Sequence, residues 1–202
     1  MSPEKSQYSK EYAEFISSTS PNSAKFYEDD SEITEVVLSM DSTGENSDAQ
    51  QYKNLINKGD ENYKSKNYDI SIRSYQEALK INPSDEVTLL KLGNVYKLKN
   101  DNKNAINFYK KSIVVNPNYS DGWFNLGLAY ANEQNNNKAK ECFHRVITLN
   151  PNYGYAYYAL GLAYEQDGNN KAAVNNYKIF LTHNKDANIT KNIQEKIQKL
   201  DQ

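Results

Sequence analysis

Few side chains in this sequence could make or break a bond. Cys142 is the single thiol, and His144 and His183 are the two imidazoles. A thiol with an imidazole base is the smallest nucleophilic pair a protein can build. Cys142 and His144 stand two apart on a segment of helical periodicity, so they point away from one another. His183 lies much further along the chain, and Cys142 reads as a helix-surface or seam residue. No metal-ligand spacing, glycine-rich phosphate loop or nucleophile motif occurs. The expectation is a protein that is not an enzyme and takes no cofactor or metal.

The remaining chemistry is that of recognition. It belongs to amides, lysines and aromatic rings, and the elements that would position them follow one interval. Pro83, Pro117 and Pro151 recur every 34 residues, and Gly59, Gly93, Gly127 and Gly161 keep the same step. Tyr96, Tyr130 and Tyr164 share it, as do Ala105, Ala139 and Ala173, and the aromatic column Tyr75, Tyr109, Phe143 and Tyr177. Each unit reads as two helices joined by a turn rich in Asn, Asp and Gly. Glycine with a small residue twelve later lets the paired helices approach closely, and the aromatic fills the gap between them. Proline, which lacks the N–H, ends the second helix.

Trp123, Leu126, Gly127, Tyr130, Ala139, Phe143 and Pro151 fall at the spacings W-x2-L-G-x2-Y, A-x3-F and P. On these residues the chain resembles the tetratricopeptide repeat (TPR) family. The resemblance covers four repeats, 52–85, 86–119, 120–153 and 154–187, within a region of residues 51–187. The outer repeats depart from the pattern, with Asn62 for the tyrosine, Ser71 for the alanine and Lys185 for the proline. Ile189, Ile193, Ile197 and Leu200 form an apolar stripe, so residues 188–202 are expected to form a capping helix facing Phe180. The fold class implied is all-α, a right-handed superhelical solenoid of four helix-turn-helix units with that cap.

Residues 1–50 lack the interval. They carry eleven Asp or Glu against three Lys, a net charge of −8, which leaves +6 on the remainder. Rich in Ser and Thr, this acidic arm is expected to be disordered. Its apolar patch Ile33, Val36, Val37, Leu38 and Met40 follows Glu28, Asp29, Asp30 and Glu32. Three readings stay open for the patch: a chance cluster in a linker, a short docking motif, or a segment that folds back onto the basic repeats and blocks them.

The resemblance implies that first helices line a concave groove holding a partner's peptide segment. The candidate contacts are Asn57, Lys91, Asn94, Lys97, Phe124, Asn125, Tyr155 and Tyr158. Asn57, Asn94 and Asn125 resemble the asparagine ladder of O-GlcNAc transferase-like TPR arms, whose amides pair with a peptide backbone. An Asn-rich chain could equally scatter them there. Phe124, Tyr155 and Tyr158 would offer side-chain pockets or line packed seams, and Lys91 and Lys97 would select charge. TPR co-chaperones grip a chaperone's terminal carboxylate with cations where this chain has Leu90, Tyr155 and Ala159, which argues against that ligand.

The function expected is a protein-interaction adaptor. The alternative is a subunit of a larger TPR assembly that uses the convex face or the ends. RNA binding is disfavoured because Arg73 and Arg145 are the sole arginines, and most of the 17 tyrosines fall in packed columns. No apolar run is long enough for a signal peptide or a membrane span, so a cytoplasmic or nuclear protein with no membrane partner is expected.

Overall fold

Asn67, Asp101, Asn135 and Asn169 sit directly before four helices, and three of the four cap them. Asp101 accepts from the Asn104 N–H, Asn135 from Lys138 and Asn169 from Ala172. These bonds satisfy N–H groups that a helix start leaves without intrahelical partners. The computed structural model describes residues 44–201. The helices are α1 (Gly44–Lys64), α2 (Tyr68–Ile81), α3 (Glu86–Leu98), α4 (Asn102–Val115), α5 (Ser120–Asn132), α6 (Asn136–Leu149), α7 (Gly154–Gln166), α8 (Asn170–His183) and α9 (Ala187–Leu200). Consecutive helices pack as hairpins, α3 on α4, α5 on α6 and α7 on α8, and each hairpin packs on the next. The architecture is an all-α repeat solenoid, and it lies within residues 49–202.

The turn inside each hairpin is built one way. Lys66, Asn100, Gln134 and Gly168 have φ of 62°, 59°, 60° and 73°. They occupy the same place in successive repeats. A left-handed residue there lets the next N–H groups return to the helix: Asn100 donates to Lys97 O, and Asp101 donates to Tyr96 O at 2.9 Å. Gln134 with Asn135, and Gly168 with Asn169, repeat the pattern. Glycine takes this conformation without steric penalty, yet it is used in the fourth repeat alone.

Asn82, Asn116 and Asn150 end the second helices, each donating its N–H to the residue four earlier. Their side-chain oxygens accept from Ser84, Asn118 and Asn152 across the following proline. Asparagine thus turns the chain where proline forbids its return to helix.

The core runs along the hairpin seams. Tyr75, Tyr109, Phe143 and Tyr177 are buried with Ala105, Ala139 and Ala173. A Cβ added to Gly127 would come within 2.5 Å of the Phe143 ring, and one on Gly93 within 2.6 Å of the Tyr109 ring. Ser71 replaces the column's alanine without an orphaned hydroxyl, because its Oγ donates to Gly59 O at 2.9 Å.

At the amino end, α1 starts at Gly44, inside the span expected to be disordered. Residues 44–50 have almost no apolar side chain, so no periodic face marks them as helical. The expectations placed on residues 1–43, including the apolar patch at 33–40, lie outside the described residues. At the other end, Asp186 caps α9 by accepting from Asn188 and Ile189 N–H groups. Ile193 and Ile197 of α9 are buried, as is Phe180.

Candidate functional site

Helices α1, α3, α5 and α7 are the first helices of the four repeats, and they carry all eight candidate contacts. The structure assigns those residues different jobs.

Lys91 on α3 is already neutralised. Its Nζ lies 2.7 Å and 2.9 Å from the carboxylate oxygens of Asp60 on α1. The Tyr75 hydroxyl donates to the same carboxylate at 2.5 Å. Lys91 thus bridges the first two repeats, with its charge matched by Asp60. An equivalent bridge closes the carboxyl end, where Lys196 of α9 meets Glu165 of α7 at 2.9 Å and 3.1 Å. Glu165 also accepts from the Tyr177 hydroxyl at 2.5 Å.

The asparagines divide. Asn57 is exposed on α1. Asn94 Oδ1 accepts the Tyr109 hydroxyl at 2.8 Å, which leaves its NH2 group for other work. Asn125 Nδ2 donates to Asp121 O one turn earlier at 2.9 Å. Two of the three amides thus also serve the fold, each through one of its two polar atoms.

Phe124, a candidate pocket residue, is only 6% exposed. Its ring packs 5.8 Å from Phe143 and 5.0 Å from Tyr153, so it belongs to the seam. Tyr155 and Tyr158 come together with Phe180: Tyr155 lies 6.0 Å and Tyr158 5.2 Å from it, centroid to centroid. Tyr158 also meets Tyr177 at 5.8 Å. Tyr155 stays exposed and Tyr158 is half-buried.

Lys97 differs from Lys91. It is half-buried near the end of α3, and among the described residues no carboxylate contributes to its electrostatics. Burial pulls its pKa down to about 8. A cation held in low dielectric without an anion is costly to the fold, and an incoming carboxylate would relieve that cost.

Cys142 and His144 are separated as their spacing requires. Cys142 is buried, and burial followed by Glu141 pushes its thiol up to about 12. His144 faces the Tyr164 hydroxyl at 3.2 Å instead.

Two polar pairs escape a reading of the groove positions alone, Asp60 with Tyr75 and Asn94 with Tyr109. Both join the residue after the column glycine to the hydroxyl of the column tyrosine, fifteen residues on. The recurrence of Asp or Asn opposite Tyr in two successive repeats is the signal that could have found them.

A stack of helical hairpins whose seams close on glycine–aromatic pairs defines a repeat solenoid. Models of the tetratricopeptide repeat match residues 120–153 and 154–178, and a TPR repeat model matches 59–100 and 93–134. Among solved structures the chain is similar to the MamA protein at 30% identity, covering 67% of this chain and 74% of that one with a TM-score of 0.63. It is also similar in fold to a thermophilic TPR protein in Thermus thermophilus, at 21% identity, 74% and 84% coverage and a TM-score of 0.60. The first TPR of Spaghetti (RPAP3), solved bound to the HSP90 peptide SRMEEVD, aligns at 23% identity with 59% and 94% coverage and a TM-score of 0.57. A search of curated proteins finds no match. The chain belongs to the tetratricopeptide repeat family. Its fold is that of a protein–protein interaction scaffold. No helix among the described residues is long and apolar enough to cross a membrane.

Proposed function

We propose that the chain is an adaptor holding an extended or helical segment of a partner protein against the wall of first helices. The observation that carries this reading is Lys97, half-buried on that wall with its charge unopposed among the described residues. In the proposed complex a partner carboxylate pairs with Lys97. The Asn94 NH2 group and Asn57 contact the partner's backbone, and Tyr155 and Tyr158 receive an apolar side chain. Asn125 Oδ1 can still accept one peptide N–H. The segment is internal to the partner rather than a chaperone tail. The family's carboxylate-gripping cations are replaced here by Leu90, Tyr155 and Ala159, two of which are buried apolar residues.

A pull-down from the native cell with the wild-type chain and with Lys97→Met combined with Asn57→Ala tests it. Partners captured by the wild type should be lost from the double variant and kept by Lys171→Glu, which alters an exposed residue of α8. Equal capture by wild type and double variant removes the groove from consideration.

A further inference from the structure

Leu89, Trp123 and Tyr157 occupy one place in three successive repeats, on α3, α5 and α7. Two of the three are rings, and each packs against a neighbouring group. Trp123 Nε1 donates to Pro117 O at 2.9 Å, and Arg145 of α6 reaches the same oxygen at 3.5 Å. Tyr157 stacks on His183 with centroids 5.8 Å apart and planes 10° apart. Val115 is the residue of the second repeat that corresponds to His183.

Leu89 has no ring to lay there. Where it stands, a cleft of about 500 Å3 opens between α2, α3 and α4. That volume falls among pockets of about 300–1,000 Å3 that hold small ligands. Leu79, Leu89, Leu92, Phe108 and Val115 line it, and Val114 stands at its edge 78% exposed. Lys80, Lys110 and Lys111 also line it, with no carboxylate among the lining residues. Lys111 Nζ sits 5.0 Å over the Phe108 ring, which places a cation beside the apolar wall. Lys80 shares its charge with Glu77, outside the cleft.

We propose that this cleft is a second docking site, for an acidic partner segment that inserts one tryptophan ring where Leu89 leaves the aromatic row unfilled. The occupant follows from two features: the cleft opens where the next two repeats carry Trp123 and Tyr157, and lysines line its rim. The site is built from the second helices α2 and α4 with Leu89 and Leu92 of α3, and it shares no lining residue with the groove proposed above.

The test uses the full chain and a fluorescein-labelled dodecapeptide with one central tryptophan among glutamates, followed by fluorescence anisotropy. Leu89→Trp fills the cleft with a residue that the fold already accepts at position 123, and it should weaken binding about tenfold or more. Lys110→Glu with Lys111→Glu should do the same from the rim, whereas Lys97→Met should bind as the wild type. The same peptide with alanine in place of tryptophan, or with lysines in place of glutamates, should lose comparable affinity. Wild-type affinity in Leu89→Trp, undiminished binding of the alanine peptide, no saturable binding at millimolar peptide, or a loss confined to Lys97→Met would each overturn the proposal.

Discussion

Lys91 of the second repeat and Asp60 of the first form a two-pronged ion pair, with Nζ to carboxylate distances of 2.7 Å and 2.9 Å. Both side chains are mostly shielded from solvent, and the Tyr75 hydroxyl adds a third contact to the carboxylate. Removing the carboxylate would leave a cation and a hydroxyl facing each other without an acceptor.

Asp60→Ala should therefore destabilise the chain by about 1 to 3 kcal/mol. Asp60→Asn should cost less, because Asn94 accepts the Tyr109 hydroxyl at the same place in the next repeat. Urea denaturation followed by circular dichroism measures both. Equal losses in the two variants would mean that the ion pair, rather than the tyrosine acceptor, dominates.

Gly127→Ala drives a methyl into the Phe143 ring, which is fully buried and has little room to retreat. Overpacking of about 1 to 3 kcal/mol opposes a gain of about 1 kcal/mol in helix propensity. The net expectation is a loss, read as a lower urea midpoint. A midpoint at or above wild type would show that the seam relaxes.

Gln134→Gly acts in the opposite direction. Gln134 is exposed and held at φ 60°, a conformation that costs a side chain about 1 kcal/mol and glycine almost nothing. Gly168 does this work unstrained in the following repeat. The variant should unfold a few degrees higher in a thermal melt, and a lower melting temperature would contradict the argument.

The pH dependence of stability should carry a signature of Lys97. Its pKa of about 8 in the folded chain lies below the ordinary lysine value of 10.5. Between those values the unfolded chain holds a proton that the folded chain has released, so stability rises with pH across this window. Below about pH 8 the charged amine weakens the fold. Lys97→Met should be more stable at pH 7 by about 1 to 3 kcal/mol and should flatten that rise. Parallel wild-type and variant curves from pH 7 to 10 would show that the amine is solvated.

Cys142 should resist alkylation by iodoacetamide in the native chain and react once urea unfolds it. The thiolate is the nucleophile, and a buried thiol raised to about 12 supplies almost none at neutral pH. Rapid native alkylation would place the thiol at the surface instead.

Much of the site resisted reading from sequence because each polar group has two possible employers. Asn94 and Lys91 stand at groove positions, yet a tyrosine fifteen residues beyond Asn94 and an aspartate in the preceding repeat engage them first. Phe124 has the composition of an anchor, but its exposure depends on Tyr153 and Phe143, which arrive from outside its own helix. The start of α1 at Gly44 was illegible for a different reason, since a polar helix without a buried stripe has no period to detect.

The sequence by itself determined the unit and its stacking. Glycine facing an aromatic, a small residue twelve positions on and a proline after three of the four second helices can repeat at one interval only if similar hairpins pack side by side. Such steric rules act locally and leave a periodic mark. Tertiary structure alone decided which charges were compensated, which rings were covered and where a cleft opened beside Leu89. Those outcomes depend on desolvation and on neighbours about a repeat away, and no single repeat encodes its partner's side chains.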